Sequence, residues 1–294
     1  MQGIIHLNKQ KNITSHSCVS KIKKLLNIKC GHSGTLDPMA EGVLNIYLGN
    51  STKFIDIVKS DKKKYIATFK FGYTSDTLDI WGNVKKVESK TMFSPQELKN
   101  AEDKFRGKIK QIPPMYAAIK YNGKKLYEYA RLGQEIERKP RIVSIDDISI
   151  KSIVDSDEYV ISLFCSKGTY VRSLIDDIGR YLNSSAIMTS LIRTENDFVS
   201  LDQTYTFEEI EDMLSKGDRS FIKKIDEFLP FREVCLSDVE YSDLIHGRKK
   251  YISTDFVGQK VKLIYNNEFV GIAGWNNSSY TKEKIIWKKM KKLS

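Results

Sequence analysis

Residues 64–73 read Lys-Tyr-Ile-Ala-Thr-Phe-Lys-Phe-Gly-Tyr, and their strict alternation limits the fold more than any other stretch. In an extended chain Tyr65, Ala67, Phe69 and Phe71 fall on one side, with Ile66, Thr68 and Lys70 on the other. Such a strand requires a sheet with at least one covered face. The runs GIIHL (3–7), SIDDISIKSIV (144–154) and YVISLFC (159–165) add further strand signals. Helical signals lie among them. Thr14 and Ser15 can cap a helix carrying Val19, Ile22, Leu25 and Leu26 on one face. Ser94, Pro95 and Glu97 spell a capping box and first turn, with Gly107 as the stop; Thr206 and Glu209 open another helix that Gly217 closes. Val171, Leu174, Ile175, Ile178 and Leu182 share a helical face. Asn122-Gly123 predicts a tight hairpin turn. Strands and helices are interspersed without regular alternation. The expected fold class is therefore mixed α/β (α+β) around an antiparallel-rich sheet, not a doubly wound sheet. Near residue 230 the pattern changes to short strand-like runs (KVKLIYN, EFVGIAGW, KIIWKK), which predicts a boundary between a large domain, 1–230, and a small β-rich one, 231–294.

At 294 residues the chain can bury a core without disulfides or metals. Its formal charge of +11 favours a polyanionic partner, nucleic acid before an anionic membrane. No run approaches the ~18 apolar residues of a membrane-spanning helix. The first residues lack the pattern of a secretory signal. Cys18, Cys30, Cys165 and Cys235 lie far apart and read as reduced thiols of a cytoplasmic protein. His6, His16, His32 and His246 show no ligand spacing, so no metal is expected. Neither a P-loop nor a GxGxxG turn supports a nucleotide cofactor.

The segment GHSGTLDPMAEGVL, which starts at Gly31, concentrates chemical potential. Gly31, Gly34 and Gly42 permit a backbone path closed to other residues, and Pro38 stiffens the chain directly after Asp37. A carboxylate held this way can act as a nucleophile, a base or a metal ligand, or can simply cap a turn. Further on, KYNGKKLYEYAR interleaves lysine with tyrosine. That suits phosphate contacts with base stacking, and equally an ordinary amphipathic hairpin and helix.

GHSGTLDPMAEGVL, followed by GNSTKF, resembles the active-site motif of TruB-type pseudouridine synthases, which act on uridine 55 in the T-loop of tRNA. KKKYIATFKFGYTSDTLDIWG, PPMYAAIKYNGKKLYEYAR, SKGTYVRSLIDDIG and SLIRT resemble further motifs of that family, in order, across most of residues 3–200. The resemblance implies a pseudouridine-synthase catalytic domain (1–230) with an RNA-binding insertion at about 108–133, then a PUA-like RNA-binding module (231–294). It implies Asp37 as the catalytic aspartate, Tyr65 as the ring that stacks on uracil and helps deprotonate C5, and Arg172 as the partner of the carboxylate. It further implies that Tyr170 and Leu191 line the uridine pocket, that His32 fills the gap left by the extruded base, and that Lys120, Lys124 and Lys125 of the insertion contact RNA. The implied partner is tRNA, through its T-loop and stem, bound by a cytoplasmic monomer with no cofactor, no metal and no membrane. Extruding a uridine costs a few kcal/mol, and stacking on an aromatic platform returns ~1–3 kcal/mol.

Each assignment has a plainer alternative. Tyr65, Tyr170 and Leu191 could be core residues, and His32 a solvated turn residue. Arg172 could pair with Asp176 one helical turn on, for ~0.3–0.5 kcal/mol. Asp76 and Asp79, in SDTLD, read either as an acid/base pair or as turn and cap residues. As a whole, the chain could be an RNA-binding or RNA-folding protein without essential catalysis, or a related synthase acting on ribosomal or small nuclear RNA. One departure stands out: the family's Lys-Pro-x-Gly-x-Thr-Ser is here Lys9-Gln10-Lys11-Asn12-Ile13-Thr14-Ser15. Asparagine tolerates positive φ, so the turn is expected to survive at Asn12.

Overall fold

A computed structural model describes residues 1–58, 60–246, 260–276 and 279–285, with side chains described as far as Gly274. Near the start run strand β1 (Gly3–Lys9), helix α1 (Ser15–Leu26) and strands β2 (Cys30–Ser33), β3 (Glu41–Leu48) and β4 (Lys62–Phe71). The main sheet has the order Ile222–Lys223, β1, β3, Ala186–Asn196, β4, Glu158–Ser166, Arg141–Ser152, Gly107–Gln111, with β2 added beside β3. Along that path every pairing is antiparallel except β3 against Ala186–Asn196. The expected antiparallel-rich mixed fold is the one observed.

The alternation in β4 has the predicted result. Tyr65, Ala67, Phe69 and Phe71 are buried against Leu98 and Ala101 of helix Pro95–Phe105 and Leu174, Ile175 and Ile178 of helix Val171–Tyr181. Each large apolar side chain so buried contributes about 1.5–3 kcal/mol. β1 lacks alternation because both of its faces are covered. Ile5 and Leu7 meet Cys18 and Ile22 of α1 with Phe207 and Ile210, whereas Ile4 joins Tyr47, Phe54 and Leu229. Of the expected face of α1, Val19, Ile22 and the partly buried Leu26 pack inward and Cys18 joins them, while Leu25 is 38% exposed. A buried thiol behaves as a small apolar side chain, and this one turns the helix toward Cys18.

The local punctuation holds. Ser94–Glu97 and Thr206–Glu209 are capping boxes, and Gly107 (φ 89°) and Gly217 (φ 76°) take left-handed backbone at the helix ends. Asn122 (φ 46°) and Gly123 (φ 84°) turn the hairpin between Lys120–Tyr121 and Lys124–Lys125. Asn12 stands at φ 65°, so the turn survives the loss of the family's glycine.

Strands Arg232–Cys235, Lys260–Tyr265, Glu268–Asn276 and Ser279–Ile285 form a second, four-stranded sheet. Its Ile272 reaches into the cluster of Ile4, Tyr47 and Phe54, and the Phe54 and Phe269 rings lie 5.5 Å apart. The sheet is thus packed onto the main body. Most of KIIWKK and the rest of the basic tail after Ile285 lie outside the described residues. Cys18, Cys30, Cys165 and Cys235 are free thiols, and among the described residues no helix is long and apolar enough to cross a membrane.

At the parallel pairing, Gly42 has φ 102°, and a Cβ there would fall 2.2 Å from the Arg193 carbonyl oxygen. Gly42→Ala is expected to cost about 2 kcal/mol or more, read as a lower urea midpoint in equilibrium unfolding. An unchanged midpoint would contradict this close approach.

Candidate active site

A cleft of about 290 Å³ opens where the loop after β2, the middle of β4, the strand Ala186–Asn196 and the start of helix Val171–Tyr181 converge. Asp37, Tyr65, Tyr170, Arg172 and Leu191 all line it.

The loop carrying Asp37 is held from several sides. Ser15 Oγ donates to the Leu36 carbonyl (2.9 Å) and accepts from the Leu36 amide (2.8 Å). The Lys9 ammonium donates to the carbonyls of Gln10 (3.0 Å), Pro38 (3.3 Å) and Ala40 (2.5 Å). The Asn12 amide also donates to the Pro38 carbonyl (2.9 Å), so the altered N-terminal turn braces the loop directly. Arg193 donates through Nε to the Val43 carbonyl (2.8 Å) and through Nη2 to the Gly34 carbonyl (3.1 Å). Within the loop, the Ala40 amide donates to the Asp37 carbonyl (3.0 Å) and closes a turn. Lys9 and Arg193 are fully buried, and carbonyl oxygens supply the acceptors that buried cations require. Burial brings the Lys9 ammonium down to about 8. Neither cation was singled out from the sequence. The available signal is a basic residue ending an apolar run, in GIIHLNK and in SLIRT.

Arg172 is only 4% exposed and makes four contacts. Its Nη2 lies 2.9 Å from Asp37 Oδ2 and donates to the Tyr116 carbonyl (2.9 Å). Its Nη1 lies 3.5 Å from Asp79 Oδ2 and donates to the Thr77 carbonyl (2.8 Å). A cation in the first helical turn meets the positive end of the helix dipole, at ~0.3–1 kcal/mol. Two carboxylates offset that. The alternative pairing with Asp176 is not made, because Asp176 binds Arg180 at 2.7 Å. Asp79 is buried and serves two roles: besides Arg172, its Oδ1 accepts from Thr77 Oγ1 (2.6 Å) and from the Trp81 amide (2.9 Å). Asp76 is a turn residue that accepts from the Asn83 amide (2.7 Å) and the Tyr116 hydroxyl (3.3 Å).

The Asp37 side chain is 36% exposed, open to whatever enters the cleft. Tyr65 is buried, and burial raises its phenol pKa against the opposing pull of Arg193; an ordinary tyrosine is already neutral at pH 7. Burial also raises the Tyr170 phenol. The Tyr170 backbone is clamped by Gln111, which donates to its carbonyl (3.0 Å) and accepts from its amide (2.8 Å). Leu191 is a buried wall. His32 does not line the cleft. It sits on β2, half-buried, with its pKa lowered by burial and its Nδ1 without a hydrogen-bond partner among the described residues. Lys120 and Lys124 are exposed on their hairpin, and Lys125 is half-buried with Nζ 5.4 Å over the Tyr127 ring. That hairpin belongs to residues 112–140, which leave the main sheet after Gly107–Gln111 and roof the cleft through Ala117, Ala118 and Ile119. Among the described residues no cluster of three or more His, Cys, Asp or Glu side chains is arranged to hold a metal. A fixed, partly exposed carboxylate that shares a cleft with an aromatic ring can attack, or take a proton from, a planar polar group that enters the cleft.

Residues 21–171 match the family model for the N-terminal domain of TruB family pseudouridylate synthases. The tRNA pseudouridine synthase B of Alkaliphilus oremlandii is 39% identical over 293 residues, covering 97% of each chain. That of Bacillus velezensis is 44% identical over 223 residues, covering 74% of this chain and 72% of its own. Among solved structures, a chain of a Cbf5-Nop10-Gar1 complex superposes with a TM-score of 0.68 over 96% of this chain and 84% of its own. At 23% identity that likeness shows a shared fold.

The buried Lys9 generates a pH signature. Its ammonium loses a proton near 8 in the folded chain and near 10.4 when unfolded. Between those values the unfolded chain binds more protons, so this group's contribution to stability rises with pH, by at most ~1.4 kcal/mol per pH unit. Measured by denaturant unfolding from pH 7.5 to 10, wild type is expected to gain stability relative to Lys9→Met. A flat difference would contradict the burial.

Proposed function

The chain belongs to the TruB family of pseudouridylate synthases, and on that premise we propose that it isomerises uridine 55 in the T-loop of tRNA to pseudouridine, with Asp37 as the essential residue. The observation that carries this reading is the 2.9 Å ion pair between Asp37 and Arg172, at the edge of a cleft that Tyr65 also lines.

The reaction breaks the N1–C1′ bond, turns the uracil, joins C5 to C1′, moves a proton off C5 and places one on N1. Atoms and electrons balance within the nucleoside, so acid/base and nucleophilic groups suffice. Asp37 is the nucleophile or base toward the nucleoside. Arg172 fixes its orientation and balances its charge at the edge of the cleft. Tyr65, held neutral, is the platform on which uracil stacks and the group nearest its C5 edge. Tyr170 and Leu191 bound the base. His32, just upstream of the cleft, takes the place of the extruded nucleotide in the loop. Lys120, Lys124 and Lys125 reach phosphates from the roof. Residues 1–230 form the catalytic domain and 231–294 a PUA-like module that adds RNA surface. A +11 chain without a membrane-spanning helix among its described residues suits a cytoplasmic monomer whose partner is tRNA.

Asp37→Asn is expected to lower pseudouridine formation in a tRNA transcript on the order of 10³-fold or more, while tRNA binding by filter retention stays within about three-fold. An RNA-folding protein would be indifferent to the change. Wild type that leaves uridine 55 unmodified defeats the proposal, and activity confined to ribosomal or small nuclear RNA would transfer it to those substrates. Binding should also weaken with salt. Plotted as log K against log salt, the slope of wild type should flatten by about 1 in each of Lys120→Ala and Lys124→Ala. Identical slopes would remove the hairpin from the RNA interface.

A further inference from the structure

Trp81 is 52% exposed and Ile80 beside it 45%, an apolar knuckle that neither the fold nor the cleft uses. Among the described residues the indole has no aromatic or cationic ring partner. Yet the loop presenting it is cross-tied by hydrogen bonds. The Asn83 amide donates to Asp76 (2.7 Å), and the Trp81 amide to Asp79 (2.9 Å). A Cβ on Gly82 would fall 2.3 Å from polar atoms of Asp76, Ser75 and Thr77, so the turn is wound to its steric limit. The Ile80 amide donates to the Met188 carbonyl (3.0 Å) and the Met188 amide to the Leu78 carbonyl (3.1 Å), which bolts the loop to the strand Ala186–Asn196. The same Asp79 carboxylate that fixes the Trp81 backbone reaches Arg172, and Arg172 reaches Asp37. The indole is therefore referenced to the cleft through two carboxylates and one guanidinium.

An exposed tryptophan on a preorganised loop is suited to binding, since little ordering entropy remains to be lost. The charge around it selects the partner. Lys85 and Lys86 follow on a short strand paired with Tyr73–Thr74, both exposed, in a chain of net charge +11. An exposed ring followed within a few residues by a lysine on each face of a short strand matches an unpaired nucleotide, whose base offers a π-face and whose phosphates are anionic. We infer that Trp81 is a stacking platform for an unpaired nucleobase of the RNA substrate, at a nucleotide neighbouring the one that enters the cleft. The inference rests on the function proposed above and adds a substrate-binding contact to it.

The test uses full-length protein and a T-arm stem-loop RNA. Trp81→Ala should raise both Kd and KM on the order of ten-fold or more, with kcat at saturating RNA within two-fold of wild type, and Trp81→Phe should restore most of the affinity. Replacing loop nucleotides one at a time by abasic sites should reveal one position that weakens wild type but not Trp81→Ala. Unchanged Kd in Trp81→Ala overturns the inference, as does a fall in kcat at constant Kd, which would make Trp81 a positioning residue for Asp79. Should Trp81→Ala not fold, a protein carrying Trp275→Phe and Trp287→Phe reports on Trp81 alone: quenching of its emission by saturating RNA supports stacking, and unaltered emission overturns it. Wild type that forms no pseudouridine defeats the proposed function, whereas an active wild type matched by Trp81→Ala defeats this inference alone.

Discussion

The site depends on where one guanidinium has been put. Arg172 is buried in the first turn of a helix, facing the wrong end of that helix's dipole. Removing a partner from a buried ion pair is costly, and Asp79, buried with it, and the half-exposed Asp37 offset that position together. Turned round, the same requirement fixes Asp37. A flexible surface carboxylate becomes one with a defined direction because a charge that cannot be solvated by water is waiting for it.

The backbone around Asp37 is built on the same logic. Lys9, buried and drawn down to about 8, and Arg193, also buried, spend their hydrogen bonds on carbonyl oxygens of the loop and of β3. Loops ordinarily lie on the surface because buried carbonyls need donors. Here two cations from neighbouring strands supply those donors, and Ser15 adds both a donor and an acceptor. Glycine at 42 lets the loop rejoin the sheet against Arg193 without a side chain in the way.

How much of this was legible in the sequence follows from the range of each interaction. Residues 64–73 declare their strand, and Ser94–Glu97 their helix start, because alternation and capping are local. Asn12 could be read as the surviving turn for the same reason. The C-terminal β-rich segment was visible from its short runs, though not that Ile272 would share a cluster with Ile4. The partners of Arg172 were not legible from spacing, since Asp176 is the near neighbour and Asp37 and Asp79 are far along the chain; the family resemblance named Asp37 and was silent on Asp79. Asp79 read either as half of an acid/base pair or as a turn and cap residue; its Oδ1 does close a turn on the Trp81 amide, but a buried carboxylate has a second oxygen to satisfy. Lys9 was not legible as a buried cation because nothing local says that its ammonium meets three carbonyls.

The hydrogen bond from Arg172 to the Tyr116 carbonyl joins the roof of the cleft to the carboxylate beneath it. Lifting residues 112–140 away would strand a guanidinium N–H, at about 1–3 kcal/mol for an unmet buried donor. The height of the roof and the direction of the carboxylate below it are therefore set by one and the same side chain.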